Sequence, residues 1–246
     1  MPEEPAAPTA PPGPAAVDPA APARSARAEL VALCERGLEW NADMPQGLWD
    51  VSSLRPAAVL VLFGVLDHVP ARTGGPVARD LDVLLLRRAA TLGSHAGQIA
   101  FPGGRLEASD DGPIAGALRE AVEETGLDPD GIEPLGTLPE MAVPVSRHIV
   151  TPVPAWWTHP SEVAAVDHDE SVDVFRIPVA DLLEPANRAI TVYTLGDHTY
   201  RSPAFTVGGR IVWGFTALVL SRMFDELGWA EPWDAARIVE RDDLTR

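Results

Sequence analysis

Apolar residues recur along this chain with two different periods. Leu30, Leu33, Cys34, Leu38 and Trp40 fall near helical spacing and predict a helix over 25–40. A polar, proline-broken connection runs on to about Arg55. AAVLVLFGVL (57–66) and LDVLLLRR (81–88) are continuous apolar runs bounded by turn residues, the pattern of buried strands. Gln98, Ile99 and Phe101 predict a short strand entering a Gly103-Gly104 turn. A helix over REAVEETG follows and stops at Gly126, with Pro129 beyond. Two strands are expected near 132–138 and 147–156, with a loop over 139–147 between them. The acidic run 161–174 then turns strand-like at ESVDVFRIP, and VADLLEP reads as a short helix or turn. Late strands follow over Thr191–Thr206 and Gly208–Ile211. Phe215, Leu218, Val219, Met223 and Leu227 give 213–229 the core spacing of an amphipathic helix. Strands alternating with flanking helices predict an α/β fold, an α/β/α sandwich around a mixed β-sheet. No internal repeat and no second core is visible.

The chemistry concentrates in FPGGRLEASDDGPIAGALREAVEETGL, residues 101–127. Glu120, Glu123 and Glu124 stand at i, i+3 and i+4, so their carboxylates share one helical face. Like charges at that spacing repel, and a divalent cation is the simplest compensation, since hard cations take carboxylate oxygens. Leu118, Ala121 and Val122 give the opposite face a stripe suited to a core. Arg119 can bridge to a neighbouring carboxylate and orient it. Gly103 and Gly104 allow a closer backbone approach to a ligand than any larger residue. A charge run by itself more often marks a solvated helix face; here it is one part of a longer pattern.

That pattern, Gly-Gly, an acidic loop, Arg-Glu-x-x-Glu-Glu and a closing Gly126-Leu127, resembles the signature of the Nudix hydrolases. Those enzymes cleave nucleoside diphosphates linked to another moiety with the help of a divalent metal. The sixth residue after Gly104 is Asp110 where the usual signature has Glu, and Arg119 comes one residue late. Asp111 is an equal candidate for the acidic position. Upstream, LLLRRAATLGSHAGQIAFPGG (84–104) resembles the extension of the coenzyme A diphosphatase branch. Arg88, His95, Gly97, Gln98, Phe101, Pro102, Gly103 and Gly104 match it, whereas Gly93 stands where a basic residue is common.

The resemblance covers roughly 57–228 and implies the Nudix architecture, with Mg²⁺ or Mn²⁺ as cofactor and a small-molecule nucleotide substrate. It implies catalytic roles for Glu120, Arg119 and Glu124, and metal ligation by Glu120, Glu123 and Glu124. Substrate contacts are implied for Arg88, His95, Gln98, Gly103, Gly104 and Arg147, and Glu170 is a further carboxylate that the family pattern offers. Glu120 and a loop carboxylate are both candidates for the general base. A homodimer is compatible with the family.

Composition narrows the reading further. The 246 residues suffice for one substantial core. A net charge of −17 argues against binding nucleic acid through phosphate neutralisation. It also sets an anionic protein against an anionic substrate, so metal ions and local arginines must resolve the repulsion at the site. The chain contains no lysine, which excludes a Walker-type phosphate loop. Cys34 is its one cysteine, so neither an intrachain disulfide nor a cysteine zinc site can form. Sixteen of the first 24 residues are Pro or Ala, without the basic start and apolar core of a signal peptide. No membrane span is expected, and the reading is a cytoplasmic enzyme. The expected organisation is a disordered tail over 1–24, a Nudix domain with an N-terminal helix over 25–232, and a peripheral tail over 233–246.

Overall fold

Odd and even positions of strand β1 (Arg55–Val65) enter two different cores, and that alternation sets the layers. A computed structural model describes residues 21–40, 53–65, 81–89, 97–143, 145–166, 171–195 and 198–239. The other elements follow in chain order: α1 (Ala21–Arg36) before β1, then β2 (Leu81–Arg88), β3 (Ile99–Ala100), β4 (Gly103–Arg105) and α2 (Gly112–Thr125). After them come β5 (Ile132–Pro134), β6 (Met141–Val143), β7 (His148–Trp157), β8 (Ser171–Pro178) and α3 (Val179–Leu183). The chain ends with β9 (Arg188–Leu195), β10 (His198–Val207), β11 (Arg210–Val212), α4 (Gly214–Glu226) and β12 (Ile238–Val239).

Eight strands form a mixed sheet with the order β3-β2-β1-β7-β5, in which β4 also pairs β1, β6 pairs β7 and β8 pairs β2. Only β1 and β7 run parallel in it, with Leu60 beside Val153. Val61 and Phe63 face a core shared with Leu30 and Leu33 of α1 and with Leu220, Met223 and Phe224 of α4. Ala58, Leu60 and Leu62 face the other side, where Ala117 and Ala121 of α2 pack. The sheet therefore lies between α2 and the α1/α4 layer, as the apolar pattern predicts. Each buried leucine contributes roughly 1.5–3 kcal/mol of burial free energy.

Several boundaries differ from the sequence reading, each for a physical reason. The strand expected over 132–138 pairs regularly only at β5, because Pro152 and Pro154 of β7 have no N–H to donate. Their carbonyls still accept from Leu138 and Leu135, both at 2.9 Å. The expected loop 139–147 contains β6, held against the start of β7. Gly103-Gly104 is not a turn but part of β4, antiparallel to β1. α1 starts at Ala21, inside the expected tail. A second sheet, β11-β10-β9-β12, adds its Phe205 and Val212 to the α1/α4 core. Residues 233–239 are not peripheral either: β12 pairs parallel with β9, and Arg188 lies 4.8 Å over the Trp233 ring.

Cys34 is half-buried on α1 beside Gly136, and burial pushes its thiol up to about 11. The thiolate is the nucleophile, so the folded chain at pH 8 should alkylate with iodoacetamide far more slowly than the urea-unfolded chain. Equal rates in mass-resolved time courses would contradict that burial.

Candidate functional site

Helix α2 enters with a proline in its first turn and ends at Gly126, whose N–H caps Val122 O at 2.9 Å in a left-handed conformation. It buries Gly116, Ala117, Ala121, Glu124 and Thr125. The predicted stripe is thus rotated: Ala121 is central, whereas Leu118 and Val122 are only half-buried at the margin of the core. The rotation brings one end of the carboxylate face down onto the sheet. Glu124 is 6% exposed and its Oε2 accepts from Gly103 N at 2.9 Å, whereas the Glu123 side chain is 58% exposed.

The two glycines are required by contact with this helix and with β1. A Cβ on Gly104 would lie 2.5 Å from the Glu120 carboxyl carbon, so glycine is what lets that carboxylate rest against β4. Gly103 has φ +150°, and a Cβ there would lie 2.6 Å from Val59 Cα. The Gly-Gly pair therefore places two glutamates of α2 directly against strand backbone.

Arg119 organises the rest. Its guanidinium donates to both carboxylate oxygens of Asp110 at 3.0 Å, to Glu120 Oε1 at 3.1 Å and to Glu123 Oε2 at 3.0 Å. It also donates to Arg105 O at 3.0 Å, which ties helix, loop and β4 together. Asp110 is the acidic partner that the lengthened loop delivers; Asp111 instead takes the position before the helix and makes no side-chain cap. The Arg119 hydrogen bonds, followed by the Glu107 N–H, hold the Asp110 carboxyl below its ordinary value of 3.8. The same contact to Asp110 raises the Arg119 guanidinium further above its own.

A carboxylate depressed in the folded state contributes stability above its unfolded pKa and loses it as pH falls through the folded one. The melting-temperature gap between the wild type and Asp110→Asn should therefore be widest near neutrality and shrink below about pH 4. A gap that stays constant from pH 7 to pH 3 would mean that the Asp110 charge is not what Arg119 holds.

The remaining predicted residues fall unevenly. Arg88 ends β2 half-buried, its N–H on Gln98 O at 3.0 Å and its carbonyl accepting from Gly97 N at 3.2 Å. Its Nε is buried without a hydrogen-bond partner among the described residues. Gln98 is half-buried just before β3. Arg147 is exposed in a left-handed conformation (φ 56°), and its carbonyl accepts from Arg55 N at 3.0 Å. His95 and Glu170 lie outside the described residues, as does Gly93. Arg55 and Arg105, which the sequence reading did not single out, stand beside Arg147 at the same end of the sheet.

Among the described residues no three His, Cys, Asp or Glu side chains are grouped as a ready cation site. Arg119 instead engages Glu120 and Glu123. The donor set nevertheless fits a hard cation in kind: three carboxylates on adjacent turns of one helix, two of them set against the Gly-Gly backbone.

Comparison with known proteins shows what the chain is similar to. The model of the NUDIX domain matches residues 69–194. The uncharacterized Nudix hydrolase NudL of Citrobacter koseri is 36% identical over 192 residues, 75% of this chain and 88% of that protein. The NudL of Escherichia coli O7:K1 is 34% identical over 166 residues, 66% of this chain and 85% of that protein. Among solved structures, a Nudix hydrolase from M. smegmatis, RenU, aligns with a TM-score of 0.40 at 24% identity, covering 52% of this chain and 73% of its own. A MutT/nudix family protein from Enterococcus faecalis aligns with a TM-score of 0.44 at 16% identity, covering 82% and 74%.

Proposed function

The chain belongs to the Nudix hydrolases, and from that premise we propose that its substrate is coenzyme A or a derivative. Water would cleave the diphosphate to adenosine 3′,5′-bisphosphate and phosphopantetheine. The single observation that carries the hydrolytic reading is the Arg119 hub, which fixes Glu120 and Glu123 while Glu124 is held by Gly103 N–H. Support for the substrate is the matched segment from Arg88 to Gly104: the backbone of Arg88 brackets Gly97 and Gln98 and leads straight into the glycines.

The residues present divide the work. Glu120, Glu123 and Glu124 would hold Mg²⁺ or Mn²⁺, which would supply Lewis acidity and offset the charge that repels an incoming nucleophile. Gly103 and Gly104 let Glu124 and Glu120 rest against β4, where the diphosphate would meet those carboxylates. Glu120 is the base: its carboxylate takes the proton of water as the new phosphorus–oxygen bond forms and the bridging oxygen leaves with its electron pair. Arg119 is a positioning residue that orients Glu120 and Glu123. Arg88, His95, Gln98 and Arg147 contact the substrate, and Glu170 is a supplementary carboxylate. No helix among the described residues is long and apolar enough to cross a membrane.

Incubation with coenzyme A, ADP-ribose, NADH and a nucleoside triphosphate, each with Mg²⁺ or Mn²⁺, tests the assignment by product mass. Phosphopantetheine released from coenzyme A in preference to turnover of the others is the expected result. Preferred cleavage of ADP-ribose or of the triphosphate would keep the hydrolase and discard the substrate.

A further inference from the structure

The segment that leads into the Gly-Gly pair is thinly held by its own sheet. β3 has two residues, and β2 is the one strand paired with it among the described residues, Arg87 beside Ile99 and Leu86 beside Ala100. That is below the usual length of a strand, so few ladder bonds fix its place. Groups assigned to the substrate and to the metal ligands nevertheless flank it. Before β3, Gln98 O accepts from Arg88 N at 3.0 Å, and Gly97 N donates to Arg88 O at 3.2 Å. After it, Pro102 O accepts from Leu60 N at 2.8 Å, and Gly103 N donates to Glu124.

Helix α4 supplies the missing support. Ile99 and Phe101 enter the α1/α4 core and are 5% and 3% exposed. A backbone carbonyl in such a place has little access to water and needs a partner within the protein. Thr216, in the first turn of α4, provides it: its Oγ1 donates to Ile99 O at 3.1 Å in a buried bond. Of the two hydroxyls that α4 buries, Ser221 is engaged by Arg188, and Thr216 is engaged by β3. The helix is itself fixed at its far end. Arg222 Nε donates to Glu39 O and Arg36 Nη2 to Glu226 O, both at 2.8 Å, and Phe224 stacks on Trp229. The bond therefore locates β3 against a rigid helix.

This contact and the glutamates lie on opposite faces of the sheet. α2 packs against Ala58, Leu60 and Leu62, whereas Ile99 and α4 share the core of Val61 and Phe63. Thr216 therefore does not touch a diphosphate held by the α2 glutamates, and its influence has to pass through β3. Gly103 has anchors of its own in Val59 and Glu124, so a displaced Ile99 disturbs Gly97, Gln98 and Arg88 before it disturbs the glutamates. We infer that Thr216 is a positioning residue: its hydroxyl sets the place of β3, and with it the Arg88–Gln98 segment on which the substrate docks. The inference rests on the hydrolytic reading above and assigns Thr216 to substrate binding, not to the chemical step.

Steady-state kinetics on coenzyme A, ADP-ribose, NADH or a nucleoside triphosphate, whichever the wild type cleaves fastest, separates KM from kcat. Thr216→Val removes the donor and nearly keeps the shape. It should raise KM about tenfold, the scale of one buried hydrogen bond, with kcat within about twofold. Thr216→Ser keeps the hydroxyl and should restore most of the affinity. Thr191→Val is the structural control. It removes a comparable bond, Thr191 Oγ1 to Ser202 O at 3.2 Å in the second sheet, and should leave KM unchanged. Hydrogen exchange read by mass needs no turnover: amides of 97–104 should exchange faster in Thr216→Val and at the wild-type rate in the other two variants. Circular dichroism checks that each variant is folded. Unchanged exchange over 97–104, an unchanged KM, or an equal rise of KM in Thr191→Val would each overturn the inference. Should the wild type cleave none of the four nucleotides, the hydrolytic reading falls alone. Faster exchange over 97–104 would then still support Thr216 as the anchor of β3, and unchanged exchange would overturn it.

Discussion

Glu124→Gln should lower metal-dependent turnover by about 10²–10⁴-fold and leave the fold intact. The amide keeps an oxygen where Glu124 Oε2 accepts from Gly103 N–H, so the link between α2 and β4 survives. What disappears is a negative charge in a position only 6% exposed. The retained acceptor should keep the melting temperature close to that of the wild type. Glu124→Ala provides the contrast. It removes the acceptor as well, leaves the Gly103 N–H without its partner, and should destabilise by about 1–3 kcal/mol. Product release by mass and thermal melts of both variants separate the two effects. Normal metal-dependent rates in Glu124→Gln would remove Glu124 from the ligand set.

The three glutamates show what the sequence could and could not convey. Their spacing puts them on one face, but positions i+3 and i+4 diverge by about 100° around a helix with 3.6 residues per turn. Only packing decides which edge of that arc meets the sheet. Here Glu124 turns inward and Glu123 outward, an asymmetry that depends on Gly116, Ala117 and Ala121 seating the helix. The strands were legible because β1 and β2 are unbroken apolar runs of strand length. Asp82 was not: fully buried within LDVLLLRR, it is paired by Arg176, which comes 94 residues later. Arg188 is a similar case, buried between Phe205 and Trp233 from separate strands and segments. The Arg55–Arg147 neighbourhood likewise needs the parallel register of β1 and β7, which no local pattern encodes. Local periodicity identifies elements and catalytic motifs; charged groups whose partners are distant in sequence become visible only in the fold.

Alanine at the two adjacent glycines should produce two different failures. At Gly103 the new methyl group would meet backbone, 2.6 Å from Val59 Cα, in a conformation (φ +150°) that side chains rarely adopt. Backbone of a central strand cannot swing aside as a rotamer can, so Gly103→Ala should cost several kcal/mol, on the order of the 1–3 kcal/mol of overpacking plus the backbone strain. At Gly104 the methyl group would instead meet the end of a side chain, 2.5 Å from the Glu120 carboxyl carbon. Glu120 can change rotamer, so the fold should lose at most about 1–2 kcal/mol while the carboxylate leaves its place beside Arg119. A displacement of about 1 Å at a reacting group can cost about 10²-fold in rate. Gly104→Ala should thus melt near the wild type and turn over at least tenfold more slowly, whereas Gly103→Ala should lose stability first. If Gly104→Ala kept full activity, Glu120 would not need its seat against β4 and could not be the base. If Gly103→Ala melted like the wild type, β4 would not be pressed on β1 as tightly as the pairing of Gly103 with Val59 requires.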